Sequence, residues 1–139
     1  IMTKYPDAKS KAKKPKDLQL QAIIDAVRAA VTASSCIPRL ASDGSAHGLL
    51  WDHIELYLLG CRRGIAIVED KYRAELNPNV AMEWGWMRAM GKPVLFLMEK
   101  SFKEQRADLE GARRESFSWT SPDDDIREAV ARWLEETQL

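Results

Sequence analysis

The sequence is poor in the residues that build metal sites or disulfide frames. Its only cysteines, Cys36 and Cys61, stand in no CxxC or Cys/His spacing, and its only histidines, His47 and His53, have no ligand cluster around them both. The cysteines read as two free thiols of a reducing cytoplasm, and no metal or cofactor is expected. Net charge is missing too. The 21 Lys+Arg are matched by 21 Asp+Glu, so no global basic field draws the chain to nucleic acid or to an anionic membrane. No apolar run is long enough to span a bilayer, and no charged start leads into an apolar middle as in a signal peptide. P-loop, GxGxxG, GxSxG and HExxH patterns are all absent. That removes the usual nucleotidase, dinucleotide-oxidoreductase, α/β-hydrolase and zinc-protease readings.

What is present is an ordinary globular composition, 45% hydrophobic and 30% charged over 139 residues, enough for one domain covering residues 1–139 with its own core. The opening Ile1-Met2-Thr3 reads as the tail of a strand, so the expectation is that residues upstream are missing, either a few or a whole preceding domain of a longer chain. The lysine-rich stretch from Lys4 to Lys16 reads as a loop with a solvated charge run that could also gather phosphates. From Asp17, taken as N-cap, Leu20, Ile23, Ile24, Val27 and Val31 follow helical spacing. "CIPRLASD" reads as a short extended segment and "DGSAHG" as a turn-rich loop; "LLWDHIELYLLGCRRG" is a second helix. "IAIV" and "KPVLFLM" are uninterrupted apolar strands, "ESFSW" a weaker edge strand, and "SPDDDIREAVARWLEE" a final helix.

Alternating strands and helices with apolar middle strands predict an α/β fold with a parallel sheet covered on both faces. The size match is a flavodoxin-like three-layer sandwich, five strands in order 2-1-3-4-5. In such a sheet ligands bind beyond the carboxyl ends of the strands. That rim would carry Thr3, the lysine loop, Ala41 to Gly48, Glu69, Asp70 and Glu99.

One helix at that rim stands out: "LNPNVAMEWGWMRAMGK". Asn77 is its predicted N-cap and Pro78 its first residue. It carries one acid, Glu83, whose helical neighbours are Asn79, Val80, Trp86 and Met87. Either Glu83 reaches water or Arg88 from the edge of the helix, or it is held in an apolar cleft. There desolvation would raise its pKa, and it could serve a developing oxocarbenium ion as nucleophile or electrostatic partner. Trp84 and Trp86 either pack in the core or stack a base.

"NPNVAMEWGWMRAMGKPVLFL" resembles the Asn-Pro-Asn-Val, Glu-x-Gly, Gly-Lys-Pro-Val pattern of nucleoside 2-deoxyribosyltransferase-like and TIR-like nucleotide-binding domains of prokaryotes. "LLWDHIELYLLGCRRGIAIVED" and "ADLEG" are similar to the flanking segments of the TIR-like branch, so the resemblance covers most of residues 49–111. It implies cleavage or exchange of an N-glycosidic bond, with NAD or a related nucleotide or nucleoside as substrate. It carries the catalytic glutamate over to Glu83. Asn77 and Asn79 would hold ribose hydroxyls, Asp70 would do the same or orient Glu83, and Thr3 and Trp86 would complete the substrate site. By analogy such a module would be an effector of a bacterial stress or antiviral system, active as a homo-oligomer or beside a partner domain. A base-swapping transferase and a nucleotide sensor without catalysis stay open. A receiver-like scaffold needs paired acids where Thr3 and Lys4 stand.

Overall fold

Uninterrupted apolar runs form the centre of the sheet, since only a strand covered on both faces can place every side chain away from water. In the computed structural model, which describes residues 1–4, 14–43, 50–74, 77–102 and 112–138, β1 is Gly64–Val68 and β2 is Val94–Glu99. They pair in parallel from Gly64↔Val94 to Val68↔Met98. β3, Arg113–Phe117, lies on the far side of β2, also parallel, from Leu95↔Arg113 to Glu99↔Phe117. The sheet order is therefore β1-β2-β3. Four helices flank it: α1 (Pro15–Ala33), α2 (Leu50–Gly60), α3 (Pro78–Ala89) and α4 (Asp123–Glu136).

Side chains alternate across a strand, which divides the core in two. Ile65, Ile67, Leu95, Leu97 and Phe117 meet the buried stripes of α1 and α4, including Leu20, Ile24, Val27, Ile126, Val130 and Trp133. Ala66, Val68 and Phe96 point the other way, toward Ile54 and Leu58 of α2 and Val80 and Met87 of α3. The first cluster is much the larger. The second is closed at its edge by Met2 and by half-buried Trp84, Trp86 and Met90.

The five-stranded expectation is corrected: the described residues form three strands. The first expected strand is reduced to an isolated parallel bridge, Met2↔Ala66, with Met2 donating to Ile65 O (2.7 Å) and accepting from Ile67 N–H (2.9 Å). The second does not form. Pro38 has no N–H to give a ladder, and the Asp43 carboxylate accepts the Leu40 N–H (2.9 Å) while pairing with Arg28, which turns Ala41–Asp43 into a 3-10 turn. Order 2-1-3-4-5 therefore does not apply. An α/β fold with helices on both faces stands. Helix α1 also begins earlier than the sequence suggested, at Pro15, because Asp17 acts as N3 and not as N-cap, accepting the Lys14 N–H (3.1 Å).

Gly64 shows how closely α3 approaches β1. A Cβ there would sit 2.6 Å from Met87 Sδ and 2.7 Å from Met2 Cε. Both are the far ends of flexible methionine side chains that can turn aside, so Gly64→Ala is expected to cost no more than about 1 kcal/mol, read as a small drop in urea midpoint at unchanged slope.

Candidate functional site

The carboxyl end of β1 runs into Glu69, which lies buried instead of solvated. Lys4 explains why. Its Nζ donates to the carbonyls of Glu69 and Arg73, both at 2.8 Å, and stands 3.0 Å from Glu69 Oε1. That last contact is an ion pair without hydrogen-bond alignment, leaving Oε1 with no hydrogen bond. Glu69 Oε2 accepts the Tyr72 N–H at 2.6 Å, and the Tyr72 hydroxyl donates to Asp17 Oδ1 at 2.7 Å. This chain of contacts ties the segment after β1 both to the first residues and to the start of α1. One strand over, buried Glu99 accepts from the Ser101 N–H (2.8 Å) and hydroxyl (2.5 Å).

Thr3 Oγ1, like Glu69 Oε1, is buried and has no hydrogen-bond partner, and unlike it has no ion pair either. Asp70 is half-buried just beyond Glu69. Asn77 caps α3 through its Oδ1, which accepts the Asn79 N–H at 3.0 Å, and Pro78 sits at N1, where its missing N–H costs nothing. The side chain of Asn77 is thereby committed to the helix start, and Asn79 is exposed.

Glu83 lies on the buried face of α3 with Val80 and Met87, at i−3 and i+4, and only 8% of it is exposed. It makes no hydrogen bond or ion pair among the described residues. Desolvation raises its pKa from 4.5 to about 7, against a smaller opposing pull from the Ile1 ammonium. The alternative of an ion pair with Arg88 is not realised, because the Arg88 guanidinium stands over the Trp84 ring at 5.6 Å. Trp84 meets Phe96 edge-on at 5.3 Å, and Trp86 packs against Trp51 of α2 at 6.2 Å. The two tryptophans brace α3 on its two sides, one against the sheet and one against α2.

The height of Glu83 differs from the rim expected from sequence. Met87 meets Gly64 at the amino end of β1. At about 1.5 Å per helical residue against about 3.3 Å per strand residue, Glu83 lies roughly level with Ala66, below the carboxyl rim. Asp70 and the start of α3 with Asn77 and Asn79 follow the carboxyl end of β1, Thr3 lies opposite Ile67 within the sheet and on the face away from α3, and Glu83 sits roughly 8 Å below the first residue of α3. Three cavities lined by described residues lie toward the amino ends of the strands. The largest, of about 620 Å³, lies among Cys36, Arg39, Arg62 and Trp133, and another of about 420 Å³ among Trp84, Lys92 and Arg113. A void of about 40 Å³ lies between α2, Met2 and Met87. Glu83 lines none of these three.

Lys9, Lys11, Lys13, the loop from 44 to 49 and the "ADLEG" segment lie outside the described residues. The Lys4–Glu69 clamp is what sequence reasoning missed. Lys4 read as the first residue of a charged loop, and its signal was positional: it follows a strand stub that neighbours β1, whose apolar run ends in an acid. Among the described residues no group of three His, Cys, Asp or Glu could hold a metal ion, and no helix is long and apolar enough to cross a membrane. Comparison of the chain with protein-family models, with curated proteins and with solved structures returned no match.

Proposed function

We propose that this chain is a nucleotide-binding domain that cleaves an N-glycosidic bond in NAD or a related nucleotide, with Glu83 as the carboxylate facing C1′. The observation that carries the reading is a lone acid, buried on the apolar face of α3, with no partner and a pKa raised to about 7. A carboxylate largely desolvated and left without a hydrogen bond opposes folding, and such groups concentrate where chemistry needs them. The resemblance of the Asn77–Lys92 segment to deoxyribosyltransferase-like and TIR-like domains supports the same role.

The chemistry suits a substrate whose leaving group is already cationic. Nicotinamide leaves NAD as a neutral molecule, its pyridinium nitrogen taking the pair of the broken C–N bond while the positive charge passes to the ribose, so no leaving-group protonation is required. One anion near C1′ in a low-dielectric site lowers the energy of the oxocarbenium-like transition state. A positively charged nicotinamide ring brought next to Glu83 also favours its ionised form, so binding itself deprotonates the group that reacts. Asp70 is the rim group with polar atoms left over for ribose hydroxyls, while Asn77 contributes through the helix start it caps; Thr3, opposite Ile67 on the other face of the sheet, does not reach the same pocket. In this reading the domain works in the cytoplasm as a defence effector.

The test is mass spectrometry of NAD, NADP and deoxynucleosides after incubation with concentrated protein, wild type beside Glu83→Gln. Loss of the wild-type products in the variant supports the proposal. Products that persist unchanged in Glu83→Gln, or no turnover of any of these compounds by wild type, overturn it. Supplying one deoxynucleoside with two free bases separates transfer from hydrolysis, since only a transferase yields the swapped nucleoside.

A further inference from the structure

The largest of the three cavities is one-sided in charge. About 620 Å³ in volume, it lies where the carboxyl ends of α1, α2 and α4 converge on the amino end of β1. Arg39, Arg62 and Arg63 are among the described residues that line it, and no aspartate or glutamate is. In a chain whose charges balance at 21 each, that is a local surplus of base.

Helix carboxyl ends attract arginines by themselves, because their last carbonyls carry partial negative charge. Here that demand is met by other groups. The Cys36 N–H bonds back to the Val31 carbonyl at the end of α1 (3.2 Å). Lys92 Nζ donates to the Leu58 and Leu59 carbonyls of α2 at 2.7 and 2.6 Å, and Arg63 donates to the Thr137 carbonyl just past α4. The Arg39 and Arg62 guanidiniums are left over. Both residues are exposed, and neither guanidinium makes a hydrogen bond or ion pair among the described residues.

Two cations without a counter-charge stand beside walls of Ile37, Pro38 and Trp133, in a cavity of small-molecule size. A carboxylate would bring one negative charge to them, whereas a phosphate monoester brings about −1.5 to −2 at pH 7. Guanidinium forks also match phosphate oxygens in geometry. We propose that this cavity binds a small organic phosphate, its phosphate between Arg39 and Arg62 and its hydrocarbon body against Trp133 and Pro38. The body covers Ile37, which is 75% exposed without it. Glu83 does not line this cavity, so the inference does not depend on the glycosidic-bond reading.

Two built-in reporters make the test specific to this place. Cys36 and Cys61, the only cysteines of the chain, are free, half-buried and in the same cavity wall. Calorimetric titration of the full chain with phenyl phosphate is expected to show saturable binding, weakened about tenfold or more in Arg39→Gln and in Arg62→Gln. Benzoate, with half the charge, and inorganic phosphate, with no ring to bury, should each bind about tenfold or more weaker than phenyl phosphate. Phenyl phosphate should slow alkylation of both cysteines by iodoacetamide in proportion to the sites filled, and the double variant Arg39→Gln/Arg62→Gln should lose that protection. Absence of saturable binding by wild type, or binding unchanged in the double variant, overturns the proposal. So does alkylation at the unliganded rate under saturation, or benzoate or inorganic phosphate binding as tightly as phenyl phosphate.

Discussion

Glu83→Gln is expected to give a protein that is at once more stable and inert. The folded protein holds the Glu83 proton up to about pH 7, whereas an unfolded chain releases it near pH 4.5. Between those values the folded state binds more protons than the unfolded one, so this group's effect is to lower stability as pH rises, with the full penalty present above pH 7. At 1.36 kcal/mol for each unit, reduced for the side chain's residual exposure, the penalty comes to about 2–3 kcal/mol. Glutamine has nearly the same shape and no charge to desolvate. The variant's advantage should therefore be near zero at pH 4.5 and reach about 2–3 kcal/mol at pH 8, measured by urea unfolding at each pH. Turnover, where the wild type shows it, should fall by at least about 100-fold, the usual cost of removing a group that acts in the transition state. Wild-type kcat/KM on a neutral nucleoside should rise with pH through about 7 as Glu83 ionises. Parallel stability profiles for the two proteins from pH 5 to pH 8 would show that the carboxyl is solvated and defeat both halves of the expectation.

Lys4→Met should have an opposite and larger effect on stability. The ammonium is buried, bonded to two carbonyls and set 3.0 Å from a glutamate that is itself almost wholly enclosed. Removing it leaves Glu69 as a buried uncompensated anion, a change that typically costs about 3–5 kcal/mol. Since a domain of this size is stabilised by only about 5–15 kcal/mol in all, the variant is expected to be partly unfolded at physiological temperature. Glu69→Gln makes a useful contrast. The amide oxygen still accepts the Tyr72 N–H, and Lys4 keeps its two carbonyls, so a loss of about 1–2 kcal/mol is expected. Equal losses in the two variants, read from denaturation midpoints, would mean that the ion pair contributes no more than its volume.

The centre of the fold was plain in the sequence because its signals are local. "IAIV" and "VLFLM" have no polar residue to place on a solvent face, and Asn77-Pro78 is both a capping residue and a first-turn proline. The sequence left Glu83 between the edge of the helix and an apolar cleft; the structure decides for burial, with Val80 and Met87 on the two positions that share its face. What the sequence hid were outcomes decided by contacts between distant residues. Whether "CIPRLASD" becomes a strand depends on Arg28 drawing Asp43 into a turn, which is a tertiary event. Lys4 looked solvated because nothing within several residues of it suggests a partner; Glu69 is 65 positions away. The depth of Glu83 below the rim likewise followed from the fit of Met87 against Gly64, two residues with no recognisable pattern between them.

The unequal division of the core sets how hard it is to reach the buried acid. On one side of the sheet α1 and α4 share a deep apolar layer with Phe117 and Trp133. On the other, α2 rests on little more than Ile54 and Leu58. Local opening follows the cheapest route, so α2 is expected to lift while the opposite layer stays shut, its amides exchanging first in a hydrogen-exchange measurement. Glu83 belongs to that thinner side. Admitting a small molecule to it would mean loosening one short helix, and the Lys92 ammonium, bonded to the Leu58 and Leu59 carbonyls, is the latch at its carboxyl end.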